Sequence, residues 1–225
     1  MVDLILIIYI KIRRRGMFMY EMTFDNFCYD DHDNGRVVEE LKKFWTNPLR
    51  TKVLCLWGSN SSGKTHLLHA IQNENEKFRI VFMTADRFNL MLAYTVESGD
   101  VQKFEESFEE VDILLLDDAQ FLVGKYALEF LKERIIPRIR CNVLLASDCD
   151  PYTTGILGKD EIALKLATPN NNVRYQIVRR MSDIMQLQID NATQHLIAKN
   201  ISDVRRIHGF LTFLKAASEK KSVCP

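Results

Sequence analysis

The feature that most constrains the fold is a glycine- and serine-rich loop between an apolar run and a helical pattern. The loop is Gly58-Ser-Asn-Ser-Ser-Gly63-Lys64-Thr65, and it follows the apolar run 53–57. Such a loop turns its backbone N–H groups inward, and the N-terminus of the next helix adds partial positive charge, so that both attract phosphate oxygens. The spacing GxxxxGK[ST] between a strand and a helix therefore predicts a phosphate-binding loop.

Short apolar runs alternate with longer helical patterns through the first two thirds of the chain. The apolar runs are 53–57, 79–84, 113–116, 142–147 and 162–167, and the helical patterns are 64–73, from about 86, 101–108 and 126–138. Continuous apolar strands separated by helices are typical of a parallel sheet that is covered on both faces. We therefore predict an α/β fold of the P-loop NTPase class, with helices on both faces of the sheet.

The pattern changes after Pro169, where three helical stretches, 172–186, 191–199 and 203–217, follow without a strand between them. We predict an α/β nucleotide-binding domain over 19–168 and a small three-helix lid domain over 169–225.

The first eighteen residues are kept out of the fold prediction. The apolar run 4–10 is shorter than the roughly 20 residues of a membrane helix, and its basic residues follow it instead of preceding it as in a signal peptide. Met17 and Met19 stand just downstream. We expect residues 1–18 to be an extension or the product of a mis-assigned translation start.

Charge and cysteine content narrow the class of function. The 30 basic and 30 acidic side chains give a net charge of zero, which removes the simplest argument for a non-specific nucleic-acid binder or an anionic-membrane binder. The five cysteines are widely spaced and include no CxxC pair, which is typical of neither a disulfide framework nor a zinc site. We expect a reduced, cytoplasmic compartment and no membrane association.

A pair of aspartates follows the third apolar run. Ile113-Leu-Leu-Leu-Asp117-Asp118 brings Asp117 to the carboxyl edge of the sheet, beside the phosphate-binding loop. There Asp117 and the Thr65 hydroxyl would hold magnesium, Lys64 would reach the β- and γ-phosphates, and Asp118 would orient or deprotonate the attacking water. The motifs therefore predict ATP or ADP with magnesium as the ligand.

Two histidines on the first helix have a spacing that can bind metal. His66 and His69 lie three residues apart, but the sequence offers no evident third ligand. Polar packing beside the nucleotide is the preferred interpretation of both residues.

These motifs, taken together, resemble the DnaA family of AAA+ ATPases. The similarity covers about residues 21–217 and is carried by Thr23-Phe-Asp-Asn-Phe27, which looks like the family's entry motif near the adenine, by 63–71 in the loop and its helix, and by 111–125 around the two aspartates. Ser147-Asp148 resembles the end of the sensor 1 strand, and 203–209 resembles the sensor 2 helix. The resemblance implies an AAA+ core with a helical lid.

The resemblance also implies roles for individual residues. Arg205 would be the lid residue that faces the γ-phosphate, and Asp148 joins Asp118 as a candidate for positioning water. The predicted nucleotide-binding residues are Gly58, Ser61, Ser62, Gly63, Lys64, Thr65, His66, Asp117 and Arg205. Thr65 and Asp117 are the predicted magnesium ligands.

Within the family, the short architecture resembles the Hda-type regulators, which inactivate the initiator after the replication clamp is loaded. Initiators of the family carry an N-terminal helicase-contact domain and a C-terminal DNA-reading domain, and we expect neither here. The implied partner is a replication initiator of the same family. The sliding clamp is a second candidate partner, although 17–21 is a poor copy of the family's clamp-binding peptide.

Two departures from the family pattern concern hydrolysis and DNA. The stretch 149–167, where an arginine finger is expected, contains Lys159 and Lys165 but no arginine, so efficient turnover by a homo-oligomer is not expected. The stretch 97–118 contains nine acidic residues against Lys103, which would repel a phosphate chain, so direct DNA binding is not expected. The simplest interpretation of the glutamates at 105, 106, 109 and 110 is a solvated helix face, and that of Phe104, Phe108 and Phe121 is core packing.

Three alternatives to an initiator regulator stay open. A helicase-loader type AAA+ adaptor would share every motif described above. A degenerate module that holds nucleotide only to stay folded would share the loop. A small-molecule P-loop kinase would also share the loop, but no acceptor-site motif is visible and the helical lid argues against it.

Overall fold

The computed structural model describes residues 21–46, 52–122 and 124–221, and their central element is a five-stranded parallel sheet. The strands are β1 (Lys52–Trp57), β2 (Ile80–Thr84), β3 (Ile113–Asp117), β4 (Asn142–Ser147) and β5 (Ile162–Lys165), in the spatial order β2-β3-β4-β1-β5. All four strand pairs are parallel. The predicted α/β fold is confirmed, and β1, which leads into the glycine-rich loop, lies between β4 and β5.

The α-helices connect the strands and then continue beyond the sheet. They are α1 (Arg36–Thr46), α2 (Lys64–Glu74), α3 (Ala85–Ser98), α4 (Val101–Glu106), α5 (Gly124–Phe130), α6 (Asn171–Ile184), α7 (Asn191–Asn200) and α8 (Val204–Lys221). None of the helices within the described residues is both long and apolar enough to cross a membrane.

Both faces of the sheet are buried, because alternate residues of each strand point into different apolar clusters. Leu114, Leu116 and Val143 lie in the cluster that contains Phe88 and Phe104. Ile113, Leu115 and Leu144 lie in the cluster that contains Leu41, Leu67 and Ile71. Each residue of β3 and β4 is buried, which explains why these strands are continuous apolar runs in the sequence.

The sheet opens at the carboxyl end between its two central strands. β3 stays paired with β2 as far as Asp117, and β4 stays paired with β1 as far as Ser147. The pairing of β3 with β4 stops earlier, at Leu116 opposite Leu145. The acidic ends of the two strands therefore border a gap, and crevices of this kind at the carboxyl edge are where α/β proteins bind ligands.

The last three helices form their own apolar cluster, which includes Val178, Ile197, Ile207 and Leu211. The segment that joins them to the sheet is held by Asn34, which is buried. Its amide oxygen accepts from the Ala167 N–H at 2.8 Å, and its amide nitrogen donates to the Ala167 carbonyl at 3.2 Å. This pairing resembles a strand contact and fixes the chain just before the lid.

Several local predictions are corrected by the structure. Phe121 is 49% exposed, because it lies in a short turn after Asp118, whereas Phe104 and Phe108 are buried as predicted. Glu105 does not belong to a solvated face: it is buried and pairs with Arg134 at 2.7 Å and Arg138 at 2.6 Å. Burial of a carboxylate normally requires such partners.

Helix boundaries also differ from the sequence pattern. The predicted helix 126–138 is divided into α5, a π-helical stretch over Leu131–Ile135 and a 3₁₀ turn over Ile136–Arg138 that contains Pro137. Helix α4 ends at Glu106, short of the predicted 108, and the fifth strand ends at Lys165. The sequence pattern did not predict α1. Residues 1–18 lie outside the described residues.

Candidate nucleotide-binding site

The glycine-rich loop leaves β1 and is packed tightly between neighbouring segments. A Cβ atom at Gly58 would lie 2.3 Å from the Leu166 carbonyl oxygen, and one at Gly63 would lie 2.5 Å from Cε2 of Phe27. Gly63 also has a φ of +105°, which side chains other than glycine rarely adopt. Close approach and backbone conformation together explain glycine at both ends of the loop.

Lys64 begins α2, and its side chain folds back over the loop. The ammonium group donates to the carbonyl oxygens of Gly58 at 2.8 Å and Ser59 at 3.0 Å. It also forms an ion pair with Asp148 at the end of β4, with 2.6 Å between Nζ and Oδ1. The side chain of Lys64 is only 6% exposed, so this cation lies inside the crevice.

Thr65 and Asp117 lie in direct contact across the same crevice. The Thr65 hydroxyl donates to Oδ2 of Asp117 at 2.7 Å. Burial raises the pKa of the Asp117 carboxyl, and the neighbouring Asp118 raises it further, while the Thr65 hydrogen bond acts in the opposite direction. A hydroxyl and a carboxylate so placed form the oxygen-donor set that magnesium prefers. Both predicted magnesium ligands are therefore brought together.

Asp118 and Asp148 stand on opposite sides of the opening in the sheet. Asp118 adopts a left-handed conformation, with a φ of +56°, and its N–H donates to Oδ1 of Asp117 at 3.0 Å. Gln120 lies between the two candidates: its Nε2 donates to Oδ1 of Asp118 at 3.3 Å, and its Oε1 accepts from the N–H of Asp148 at 3.1 Å. The sequence motif contained Gln120, but no role was predicted for it.

His66 connects the loop helix to the predicted entry motif. Its Nε2 donates to the Thr23 carbonyl oxygen at 2.9 Å, and its ring lies 5.3 Å from that of Phe27. Burial lowers the pKa of His66, so the imidazole is neutral near pH 7. His69 stacks on Phe82 with 4.4 Å between ring centroids. Each of the two histidines is thus engaged in its own packing contact.

Two arginines of the lid reach the core. Arg205, at the start of α8, donates to the Asn60 side-chain oxygen of the loop at 3.2 Å. Arg180, on α6, donates to the Asp25 carbonyl oxygen beside the entry motif at 3.1 Å. Arg205 was predicted from its motif. Arg180 was not, because an exposed helical arginine has no distinctive sequence signal.

All the predicted site residues except Gly58 line one cavity of about 590 Å³ between core and lid. Its polar side contains Ser61, Ser62, Gly63, Lys64, Thr65, His66, Asp117, Asp118, Asp148 and Arg205. Its apolar side contains Met22, Phe27, Ile177, Met181 and Ile184. Gly58 does not line the cavity but holds Lys64 through its carbonyl group.

The chemistry of the cavity fits a nucleotide. The Ser62 hydroxyl is buried at the base of the loop and finds no hydrogen-bond partner among the described residues. Because a buried polar group without a partner is costly, a phosphate oxygen would satisfy it. A polar, partly cationic end beside an apolar end matches a phosphate chain joined to a planar base.

The fold and site together define a P-loop NTPase core of the AAA+ type. Among known protein families, the one described as Bacterial DnaA ATPase domain matches residues 19–153, which is more than half of the chain. The chain therefore belongs to this family.

Relatives and solved structures agree with this family membership. The chain is 28% identical over 209 residues to the chromosomal replication initiator protein DnaA of Pseudothermotoga lettingae, with 86% of this chain and 47% of that protein covered. Domain III of the Thermotoga maritima replication initiation protein DnaA superposes with a TM-score of 0.79 at 27% identity, covering 90% of this chain and 91% of that one. The chain spans about half the length of the curated relatives it matches.

The similar solved structures include ligand complexes. A replication initiator DnaA bound to AMPPCP and single-stranded DNA superposes with a TM-score of 0.75 at 25% identity, covering 92% of this chain and 70% of that chain. AMPPCP is an ATP analogue whose bridge between the β- and γ-phosphates cannot be hydrolysed.

Proposed function

We propose that this chain binds ATP and ADP with magnesium and uses the bound nucleotide to regulate the initiation of chromosomal replication. The observation that carries the proposal is the convergence of Lys64, Thr65, Asp117, Asp148 and Arg205 on one cavity between core and lid. The AMPPCP-bound DnaA relative supports the choice of nucleotide.

Each residue has a distinct task in the proposed complex. The loop N–H groups and Lys64 would hold the phosphates, and Arg205, already placed over the loop through Asn60, would contact the γ-phosphate end. Thr65 and Asp117 would hold magnesium, which supplies charge neutralisation of the phosphates when bound. Asp118 and Asp148, facing each other across the opening of the sheet, would position water there.

The proposed partner is a replication initiator of the same family, as for the Hda type. Lys159 and Lys165 are the only basic residues of 149–167, and Lys165 is engaged over the Trp57 ring, with 4.8 Å from Nζ to the ring centroid. This chain thus brings no arginine from that stretch to a neighbouring site. Its role would be to present a nucleotide-dependent surface to the initiator, acting in the cytoplasm, with the sliding clamp as a further candidate partner.

The direct test measures nucleotide bound to two proteins. The purified chain should bind ADP and ATP, and Lys64→Ala should abolish that binding. When mixed with the initiator of the same genome and DNA-loaded clamp, the chain should speed the loss of initiator-bound ATP through its nucleotide-dependent contact, without supplying an arginine from 149–167. Unchanged initiator-bound ATP would contradict the regulatory proposal.

The same reagents distinguish the alternatives. Capture of the replicative helicase instead of the initiator would support a helicase-loader type adaptor. If Lys64→Ala lowers stability but leaves partner capture unchanged, the chain is a degenerate nucleotide-binding module.

A further inference from the structure

The gap between β3 and β4 is bridged, among the residues that the structure describes, by the side-chain amide of Gln120. The two strands stop pairing at Leu116 and Leu145, so the backbone of neither strand fixes the other beyond that point. Gln120 follows β3 in the turn Ala119–Phe121 and contacts both rims of the gap, namely Asp118 after β3 and Asp148 after β4. Its contacts therefore lie where backbone pairing between β3 and β4 no longer sets the distance between Asp118 and Asp148.

The orientation of this amide is determined by its partners. The Asp148 backbone N–H can only donate, so the atom 3.1 Å from it is the Gln120 carbonyl oxygen. The Asp118 carboxylate, when ionised, can only accept, so the atom 3.3 Å from it is the amide nitrogen. One residue thus satisfies a donor on one rim and an acceptor on the other, which neither an acid nor an apolar side chain of similar length could do.

The Asp148 contact continues into the phosphate-binding loop. The Asp148 carboxylate binds Lys64, and Lys64 binds the carbonyl groups of Gly58 and Ser59. A shift of the Asp148 backbone would therefore move the partner of the lysine that reaches the β- and γ-phosphates. On the other rim, a shift of Asp118 would move the candidate for positioning water.

We propose that Gln120 is a positioning residue that holds Asp118 and Asp148 at a fixed separation across the open end of the sheet, and thereby makes the site sensitive to the γ-phosphate. This inference rests on the proposed nucleotide binding. ADP binding should depend little on Gln120, because loop N–H groups hold the α- and β-phosphates and Lys64 keeps its contacts with the Gly58 and Ser59 carbonyl groups when Asp148 shifts. An ATP analogue should depend on it strongly.

The test compares two variants at Gln120 with a matched control. Gln120→Met keeps the length and removes both hydrogen bonds, whereas Gln120→Glu keeps the acceptor for Asp148 but places a negative charge against Asp118. Gln102→Met is the control, because Gln102 is an exposed glutamine that donates to Glu106 on α4. Calorimetry gives the Kd values for AMPPCP and ADP with magnesium, and NMR gives the hydrogen exchange of the Asp148 amide.

The expected results separate positioning from a general structural role. Gln120→Met should weaken the binding of AMPPCP about tenfold, as for loss of one hydrogen bond to a charged group, and the binding of ADP less than about twofold. It should also speed hydrogen exchange of the Asp148 amide. Gln120→Glu should restore slow exchange but not AMPPCP affinity, and Gln102→Met should change neither.

Two different failures are distinguishable. Equal loss of AMPPCP and ADP affinity, or unchanged Asp148 exchange in Gln120→Met, would overturn the positioning role while leaving nucleotide binding intact. A wild-type chain that binds neither nucleotide would overturn the proposed function itself, and this inference with it.

Discussion

The ion pair between Lys64 and Asp148 allows a quantitative prediction about the ligand-free protein. Lys64→Met and Asp148→Asn each remove one charge while retaining most of the side-chain volume. Because the Lys64 and Asp148 side chains are only 6% and 20% exposed, the partner left behind cannot be fully solvated. Each single variant should therefore be destabilised, and the double variant should lose less than the sum of the two.

The magnitude follows from the burial of the pair. Breaking a fully buried pair by removing one partner costs about 3–5 kcal/mol, and exposed pairs contribute about 0–1 kcal/mol. Asp148 is partly accessible, and Lys64 keeps two carbonyl acceptors, so we expect about 2 kcal/mol for each single variant and a coupling energy of about 1–2 kcal/mol. For a chain of this size, 2 kcal/mol corresponds to a fall in Tm of about 4–8 °C.

Urea unfolding of the wild type, both single variants and the double variant gives the coupling energy directly. The matched control is the pair Lys43 and Glu40, which has a similar separation of 2.9 Å but side chains that are 68% and 44% exposed. Lys43→Met and Glu40→Gln should show no resolvable coupling, because water screens them. A coupling at Lys64 and Asp148 as small as in this control would refute the argument from burial.

Four further predictions follow from other contacts. Gly63→Ala forces a Cβ against the Phe27 ring at a left-handed φ, so thermal unfolding should show a loss of about 1–3 kcal/mol. Burial raises the pKa of Asp117, so in the ligand-free protein its carboxyl should titrate above the ordinary aspartate range, and magnesium, which binds only the carboxylate, should move that titration to lower pH; NMR titration should show both effects, and Asp117→Asn should show neither. Glu105→Ala removes the buried carboxylate that binds Arg134 and Arg138, but these arginines are 56% and 30% exposed and can be solvated, so urea unfolding should show a loss of only about 1–2 kcal/mol. Fluorescence anisotropy should detect no binding of single-stranded oligonucleotides even at low salt, because Glu97, Glu106, Glu109 and Glu110 are exposed and repel phosphates; binding that weakens steeply with salt would contradict this.

Much of the site could be predicted because its chemistry is local in the sequence. The loop, Lys64 and Thr65 are contiguous, and a strand followed by an aspartate indicates the carboxyl edge of a parallel sheet. Asp148 and Arg205 were predicted from motifs, and the structure brings both to the same cavity. Gln120 and Arg180 lacked such a signal, since each contacts a segment that is distant in the sequence.

Local periodicity determined the alternation of strands and helices, because burial on both faces makes a strand continuously apolar and burial on one side gives a helix its repeat. It could not determine that Glu105 is buried, since the arginines that neutralise it lie about thirty residues away in the chain. Nor could it determine that β3 and β4 separate at their ends, with Gln120 across the gap. The phosphate-binding loop is formed by consecutive residues. The spacing of Asp117, Asp118 and Asp148 around it arises only because the sheet order makes β3 and β4 neighbours.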